Sequence, residues 1–408
     1  MILIYSNTGE WGGVDVLIAR LAKYLSDRNR AFRILEPAGS RLRTQLPEKF
    51  FVDFCQVDGI AQQVTHVLFP SLAKLRDPNV PWHSLAHAYA LAWIVHPNDV
   101  FRGFFPFSGR AMDLAGYKAV PVLRALFRSH AKTFDAVFKS LVGKRALVTM
   151  DGATERSLRY FVPTLADRPP IVPIPAEVSD AVSALEPRQA LVVGYLGRMD
   201  SMKWTAIEPF IRTQLAALNS KRPVRLVLVA EGNKVPALKR LCRHHRIECT
   251  VRGFMPNDEA RHWIASNTHV AVAMGTSALD MAGAGHPCVI LDPAAGIFTG
   301  PQTKFRYVHE TSDCTLGEFR DFPGYVTGRH SLGDCLEPQA LQAARVMGRQ
   351  YVAATHSPVA CFIALEGALS RSSATMQEIG TLVLRLMASM HKVKKQPLVR
   401  AVAGASWQ

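Results

Sequence analysis

The chain has 408 residues, 48% hydrophobic and 20% charged, which is enough apolar material for two or three cores and excludes a disordered chain. Its formal net charge of +15 points to anionic partners: nucleic acid, anionic lipid or phosphate-bearing substrates. No apolar run approaches the roughly 18 residues a bilayer span needs, so no membrane-crossing segment is expected.

The N-terminus opens with an apolar strand, Ile2–Tyr5, without the basic start and long apolar run of a signal peptide, and the expected location is the cytoplasm. A polar, glycine-bearing turn follows from Ser6 to Gly13. A helix over Val14–Leu25 is predicted by Val16, Leu17, Leu21 and Leu25 at helical spacing. Apolar runs at Phe32–Leu35, Val64–Phe69, Tyr89–Val95 and Ala146–Thr149 read as further strands. Short apolar runs alternating with helices imply parallel strands joined by crossover helices. Between Arg102 and Arg145 nine basic residues face only two acids, Asp113 and Asp135. Leu123, Phe127, Phe134, Phe138 and Leu141 form an apolar stripe there, with Arg124, Arg128 and Lys132 beside it. That composition suits either an interfacial membrane helix or an ordinary domain helix.

A proline-rich stretch near Leu165–Pro187 marks a boundary. A second α/β series then begins, with strands at Leu191–Leu196, Arg225–Val229, His269–Ala273 and Cys288–Leu291. Helices are expected at Ala206–Leu218, Val235–His245, Asp258–Ala265 and Ser277–Ala284. From Gln339 on the chain reads as helices, the last (Ala374–Met390) running into a basic tail of His391, Lys392, Lys394, Lys395 and Arg400. The seven cysteines include no C-x-x-C pair, which indicates neither a disulfide framework nor a zinc ribbon.

Four elements of the second half carry chemistry. G-Y-L-G-R-M-D-S-M-K (Gly194–Lys203) ends a strand in an arginine and places a lysine at a helix start. An arginine fork, a lysine point charge and a helix N-terminus together suit phosphate. R-L-V-L-V-A-E-G-N (Arg225–Asn233) ends a strand in an acid-glycine turn, and V-R-G-F-M-P-N-D-E (Val251–Glu259) is a strand–glycine–hydrophobic turn. M-G-T-S-A-L-D-M-A-G-A-G-H-P-C-V-I-L-D (Met274–Asp292) opens a helix from a glycine loop. In this order and spacing the four resemble the family 4 (group 1) glycosyltransferases of bacterial surface-polysaccharide biosynthesis. The resemblance implies a GT-B fold: two Rossmann-like α/β domains facing a central cleft, with C-terminal helices. The expected division is 1–180 for the acceptor side, 181–345 for the nucleotide-sugar side and 346–408 for the C-terminal helices and basic tail.

The resemblance also implies roles. Arg198 and Lys203 would hold the donor diphosphate. Gly253 and Phe254 would line the nucleobase, with Gly253 allowing a close backbone approach. Gly275, Thr276 and Ser277 would touch the phosphates, and Asp280 would accept from the ribose hydroxyls. In the first half, Gly12 and Gly13 match the family's first loop. His96, at the end of the W-I-V-H-P strand, is the candidate general base toward the acceptor, with Glu10 and Asp15 as further acid/base candidates. The sequence departs from the family in two places. Asp280 stands where a glutamate is usual, and the family's first acid, eight positions earlier, corresponds to Val272. No D-x-D triplet occurs, so neither a metal nor another cofactor is expected.

The activity implied is transfer of a sugar from a nucleotide-diphosphate donor to a glycan or lipid-linked glycan, with peripheral contact to an anionic membrane through 118–145 and the basic tail. A GT-B-type sugar-nucleotide epimerase and a non-catalytic GT-B scaffold of a glycan-assembly complex are the alternatives. No helix-turn-helix, zinc, RRM or KH signature points to a specific nucleic acid.

Overall fold

A computed structural model describes residues 1–6, 12–72, 77, 80–179, 190–297 and 299–394. Within it eleven strands form two sheets, and every strand pair is parallel. The first holds β1 (Ile2–Tyr5), β2 (Phe32–Leu35), β3 (Phe51–Val52), β4 (His66–Phe69), β5 (Tyr89–Ile94) and β6 (Leu147–Thr149), in the order β3-β2-β1-β4-β5-β6. The second holds β7 (Leu191–Leu196), β8 (Val224–Val229), β9 (Glu248–Arg252), β10 (Val270–Ala273) and β11 (Cys288–Ile290), in the order β11-β10-β7-β8-β9. In each sheet the chain lays strands outward from its first strand, then returns to that strand's other side. The reversal leaves a switch point between β1 and β4 in one sheet and between β7 and β10 in the other. Open α/β sheets bind ligands at the carboxyl ends of their strands beside such points.

The apolar runs form these strands because helices cover both faces of a parallel sheet. All six residues of β7 and all four of β10 are buried. Two strands escape the sequence pattern. β3 is two residues long, and β9 is a polar edge strand (E-C-T-V-R) whose residues alternate exposed and half-buried. The helix expected from Ala206 starts at Ser201 instead, because Asp200 caps it by accepting from the Lys203 amide at 2.9 Å. It continues past Pro209 as a π-helical stretch, Phe210–Leu215, since proline supplies no amide to the helical ladder.

The chain divides into two compact units, Met1–Met112 with Lys118–Pro173 and Phe362–Gln408, and Asp113–Tyr117 with Ile174–Cys361. The boundary expected at 180–181 falls outside the described residues; the observed change of unit is at Pro173–Ile174. The C-terminal helices, expected as a separate 346–408 segment, are shared out. Helix Pro338–Thr355 belongs to the second unit, helix Met376–Lys394 to the first, and the division falls within helix Pro358–Arg371. By length and hydropathy the run Pro338–Arg371 would suit a membrane span, contrary to expectation. It is instead two helices, and Phe362, Leu365, Ala368 and Leu369 are buried. Phe362 packs on Tyr24, while Glu366 accepts from Arg30 Nε at 3.1 Å within the first unit.

The basic stretch 118–145 is also resolved into parts. It forms two helices, Ala119–Leu126 and Arg128–Gly143, broken at Phe127. The stripe residues Leu123, Phe134, Phe138 and Leu141 are buried, and the second helix packs against Met376–Lys394. His130 pins that packing: one ring nitrogen lies 2.7 Å from the Phe104 carbonyl and the other 3.1 Å from Ser389 Oγ. Arg124 is turned inward, paired through both terminal nitrogens with Asp135 at 2.9 Å. Those four stripe residues are therefore core, and the exposed side chains include Val122, Leu126, Lys118, Arg128 and Lys132.

Candidate functional site

The two loops flanking the second sheet's switch point follow β7 and β10. After β7 the backbone turns through Gly197 at φ +144°, a conformation that favours glycine. The buried Tyr195 donates its hydroxyl to the Arg198 carbonyl at 3.0 Å and so fixes the turn. The next residue, Met199, is locked to the loop after β8. Its amide donates to the Glu231 carbonyl at 2.6 Å, and its carbonyl accepts from the Lys234 amide at 3.0 Å. The loops are so close that a Cβ on Gly232 would lie 2.4 Å from the Met199 carbonyl oxygen.

This anchoring sets Arg198 just ahead of helix Ser201–Pro209 and Lys203 on its first turn. Arg198 Nη2 stands 3.7 Å from Asp200 Oδ2, with its side chain 43% exposed. Lys203 is partly enclosed. Burial pushes its ammonium down to about 8, with Asp200 opposing the shift and Arg198 adding to it.

After β10, Gly275 caps helix Thr276–Gly283 at φ 62° and ψ −141°, backbone open only to glycine. Its amide donates to the Leu316 carbonyl at 2.7 Å. The next amides, Thr276 and Ser277, occupy the first turn, where a helix offers no internal acceptors. The β7 and β10 loops abut: a Cβ on Gly197 would lie 3.6 Å from Ser277 Oγ. An arginine, a lysine and two positive helix ends thus gather at the switch point, a setting for a multiply charged phosphate. The loop after β9 joins them through Glu231, whose carboxylate accepts from the Phe254 amide at 3.0 Å. Phe254 is 40% exposed and presents an aromatic face on which a base can stack.

Behind these loops lies a buried polar network that the sequence did not reveal. Asp292, directly beyond β11 and fully buried, takes Arg306 bidentately at 2.8 and 2.9 Å. It also accepts from Tyr325 Oη and the Glu318 amide, each at 2.9 Å. Arg320 and the Ala294 amide reach from this segment to Thr205, on the helix that carries Lys203.

No protein-family model matches the chain, and no curated protein matches its sequence. Solved structures do match in shape. A glycosyltransferase from Rickettsia africae ESF-5 aligns with TM-score 0.54 at 13% identity, over 92% of this chain and 99% of its own. AviGT4, a glycosyltransferase involved in avilamycin A biosynthesis, gives 0.50 at 13% identity, over 92% and 98%. An α-glucosyltransferase in complex with UDP gives 0.50 at 9% identity, over 90% and 99%. The fold is GT-B. The two sheets are its two Rossmann-like domains, and the loops just described belong to the second.

Within that GT-B frame the sequence-derived residues fall into groups. Arg198, Lys203, Gly275, Thr276 and Ser277 converge at the switch point, and Phe254 is tied to them through Glu231. A Cβ at Gly253 would meet nothing within 4 Å of the protein, whereas the close approach between loops is at Gly232. Asp280 is 1% exposed on helix Thr276–Gly283. Val272, at the position of the family's first acid, lies inside β10 between Tyr195 and Val289 and is fully buried. The turn from β10 to its helix is only Met274–Gly275, so counting back eight positions reaches the strand interior rather than a loop. A carboxylate at 272 would be buried in the sheet.

In the first unit, His96 is half-buried just beyond β5, ahead of helix Pro97–Phe104. Gly12 caps helix Gly13–Asp27 in extended backbone, and its amide donates to Asp15 Oδ2 at 2.7 Å. Asp15, 2% exposed, is thereby a capping residue rather than an acid/base. Glu10 lies outside the described residues. Among those residues no group of three or more His, Cys, Asp or Glu side chains could hold a metal ion. Nothing in the sequence reading marked Asp200 as the helix cap, nor the roles of Tyr195 and Glu231.

Proposed function

We propose that the chain is a glycosyltransferase that takes a sugar from a nucleotide-diphosphate donor and passes it to a glycan or lipid-linked glycan in polysaccharide or lipopolysaccharide assembly. The observation that carries this reading is the meeting of the β7 and β10 loops, which sets Arg198 and Lys203 beside the Gly275–Ser277 helix start. In this mechanism the diphosphate lies across those N–H groups and cations. As the glycosidic bond to the leaving diphosphate lengthens, negative charge grows on the phosphate oxygens, and prepositioned donors stabilise it without reorganising. Arg198 and Lys203 supply the countercharge, which is the basis for proposing an enzyme without metal or other cofactor. Phe254 stacks on the base. Asp280 serves the ribose only if the helix that carries it opens to the ligand. His96, on the first domain, positions or deprotonates the acceptor hydroxyl. UDP, bound by the α-glucosyltransferase of like fold, is the first nucleotide to try.

The test is product analysis with a panel of nucleotide sugars, with and without glycan acceptors. Transfer that depends on acceptor supports the proposal. Conversion of the donor alone would mean an epimerase. Absence of any turnover would leave the non-catalytic scaffold, which the buried Asp280 favours.

We further infer a cytoplasmic protein that touches the inner membrane face. The support is the exposed face of helix Ala119–Leu126, where Val122 is 58% and Leu126 64% exposed beside Lys118, Arg128 and Lys132. Apolar side chains ringed by cations suit an anionic bilayer surface. The basic residues Lys395 and Arg400 of the tail lie outside the described residues. Co-sedimentation with vesicles rich in phosphatidylglycerol should be strong for the wild type, weak for Val122→Asp/Leu126→Asp, and weak for both with neutral vesicles. Equal sedimentation of variant and wild type would refute this surface.

A further inference from the structure

Helix Ser201–Pro209 has a gap in its hydrogen-bond ladder. The Thr205 carbonyl would take the amide four residues on, and that residue is Pro209, which has none. The next amide, that of Phe210, donates to the Ala206 and Ile207 carbonyls. Arg320 fills the gap: its Nη2 donates to the Thr205 carbonyl at 2.9 Å. The Thr205 side chain is engaged as well. Its hydroxyl donates to the Met202 carbonyl at 2.7 Å and accepts from the Ala294 amide at 3.0 Å. Met202 and Thr205 bracket Lys203 on the same turn.

The groups that reach Thr205 are themselves fixed. The Arg320 amide donates to the Pro293 carbonyl at 2.9 Å, and the Ala295 amide to Asp321 Oδ1 at 2.8 Å. These bonds zip together the two ends of the segment that follows β11. Arg320 Nη1 also donates to the Gly300 carbonyl. Farther along the same helical run, Gln214 Nε2 donates to the Gln302 carbonyl at 3.3 Å. The turn that carries Lys203 is thus held in front by the Asp200 cap. Behind, it is held by groups 89 and 115 positions away in the chain.

Taking the switch point as the donor site, we propose that Arg320 and Thr205 are positioning residues for Lys203. They fix the helical turn that presents its ammonium to the diphosphate. This role rests on that reading of the switch point. A helix bends most readily where proline frees a carbonyl. A guanidinium in the place of the missing amide removes that freedom. The constraint matters because a displacement of about 1 Å is enough to weaken a positioned contact strongly. Both residues act through Lys203.

The experiment measures affinity for UDP, GDP and ADP by titration calorimetry on the full-length protein, with the unfolding midpoint of each variant recorded. Arg320→Met keeps the aliphatic stem and removes the donor. Thr205→Val removes the hydroxyl alone, and it carries the test if Arg320→Met does not fold. Each should weaken binding of the nucleotide that the wild type takes by about tenfold, the loss of one charge-assisted contact. Thr205→Ser should bind as the wild type does. In a Lys203→Ala background neither Arg320→Met nor Thr205→Val should weaken binding further. A merely structural role would lower the midpoint and weaken binding equally in both backgrounds. Wild-type affinity in the folded variants, or the same loss in both backgrounds, would overturn the positioning role. A wild type that binds no nucleotide, or binds no better than Lys203→Ala, would overturn the donor-site reading itself.

Discussion

Replacing Asp292 with alanine is expected to cost about 3–5 kcal/mol of stability, the range for breaking a buried ion pair from one side. Asp292 is fully buried and takes both terminal nitrogens of Arg306, whose side chain is only 9% exposed. Without the carboxylate, the buried guanidinium keeps the Val326 carbonyl and the attraction of Glu318, neither of which replaces the bidentate pair. Tyr325 Oη and the Glu318 amide lose their acceptor in the same step. For a unit of this size each kcal/mol moves the unfolding midpoint by roughly 2–4 °C, so a fall of about 6–20 °C should be seen by calorimetry. The double variant Asp292→Ala/Arg306→Met removes the stranded charge and should recover part of the loss. A single-variant midpoint within 2–3 °C of the wild type, a shift of about 1 kcal/mol on the same scale, would mean the network is not what holds this segment.

The second large effect is on ligand binding, and pH reveals it. Burial holds the Lys203 ammonium at about 8, below the unfolded lysine value of 10.5. The protonated form is the one that attracts a diphosphate. Its population is nearly full at pH 7 and falls as pH rises through 8. A bound diphosphate raises the lysine's pKa, so binding near pH 8 takes up protons. Affinity for a nucleoside diphosphate should therefore weaken by about tenfold between pH 7 and pH 9, the ratio of protonated Lys203 at the two values. Lys203→Arg should bind with no such slope, because a guanidinium stays charged throughout this range. Titration calorimetry in two buffers of different ionisation heat reports both the affinity and the proton uptake. A flat profile in the wild type would show that Lys203 does not meet the ligand.

Much of the architecture could be read from the chain because parallel strands buried on both faces leave dense apolar runs. Leu191–Leu196 and Ile2–Tyr5 were read to the residue. Of β9 only the end was read, through the strand–glycine turn at Val251, because an edge strand needs little apolar surface. The start of the Ser201 helix was missed because Asp200 caps it ahead of the first apolar residues. The basic residues of the proposed site, Arg198 and Lys203, were marked by the resemblance of Gly194–Lys203 to the family's basic pair. The pieces that hold them were not. Tyr195 bonds a backbone carbonyl, Met199 bonds a neighbouring loop, and Asp292 pairs with an arginine fourteen positions away. Such partners depend on how loops meet, which local pattern does not encode. The stripe at 123–141 left two readings open for a related reason. An apolar face looks the same in sequence whether a membrane or another helix covers it, and here Met376–Lys394 does. Val272 illustrates the reverse case. Counting positions suggested a missing acid, whereas the short Met274–Gly275 turn puts the counted position inside the sheet.

The central claim is that the second sheet's switch point holds a nucleoside diphosphate through Arg198, Lys203 and the Gly275–Ser277 helix start. The most direct measurement is thermal unfolding of the wild type and of Arg198→Ala/Lys203→Ala with UDP, GDP, ADP and their common sugar conjugates. A ligand at 100 times its Kd adds about 2.7 kcal/mol, which a midpoint shift will show. One base family should stabilise the wild type, and the double variant, folded to the same midpoint without ligand, should lose that response. If no nucleotide shifts the wild type, or if the double variant responds equally, the switch point is not the donor site.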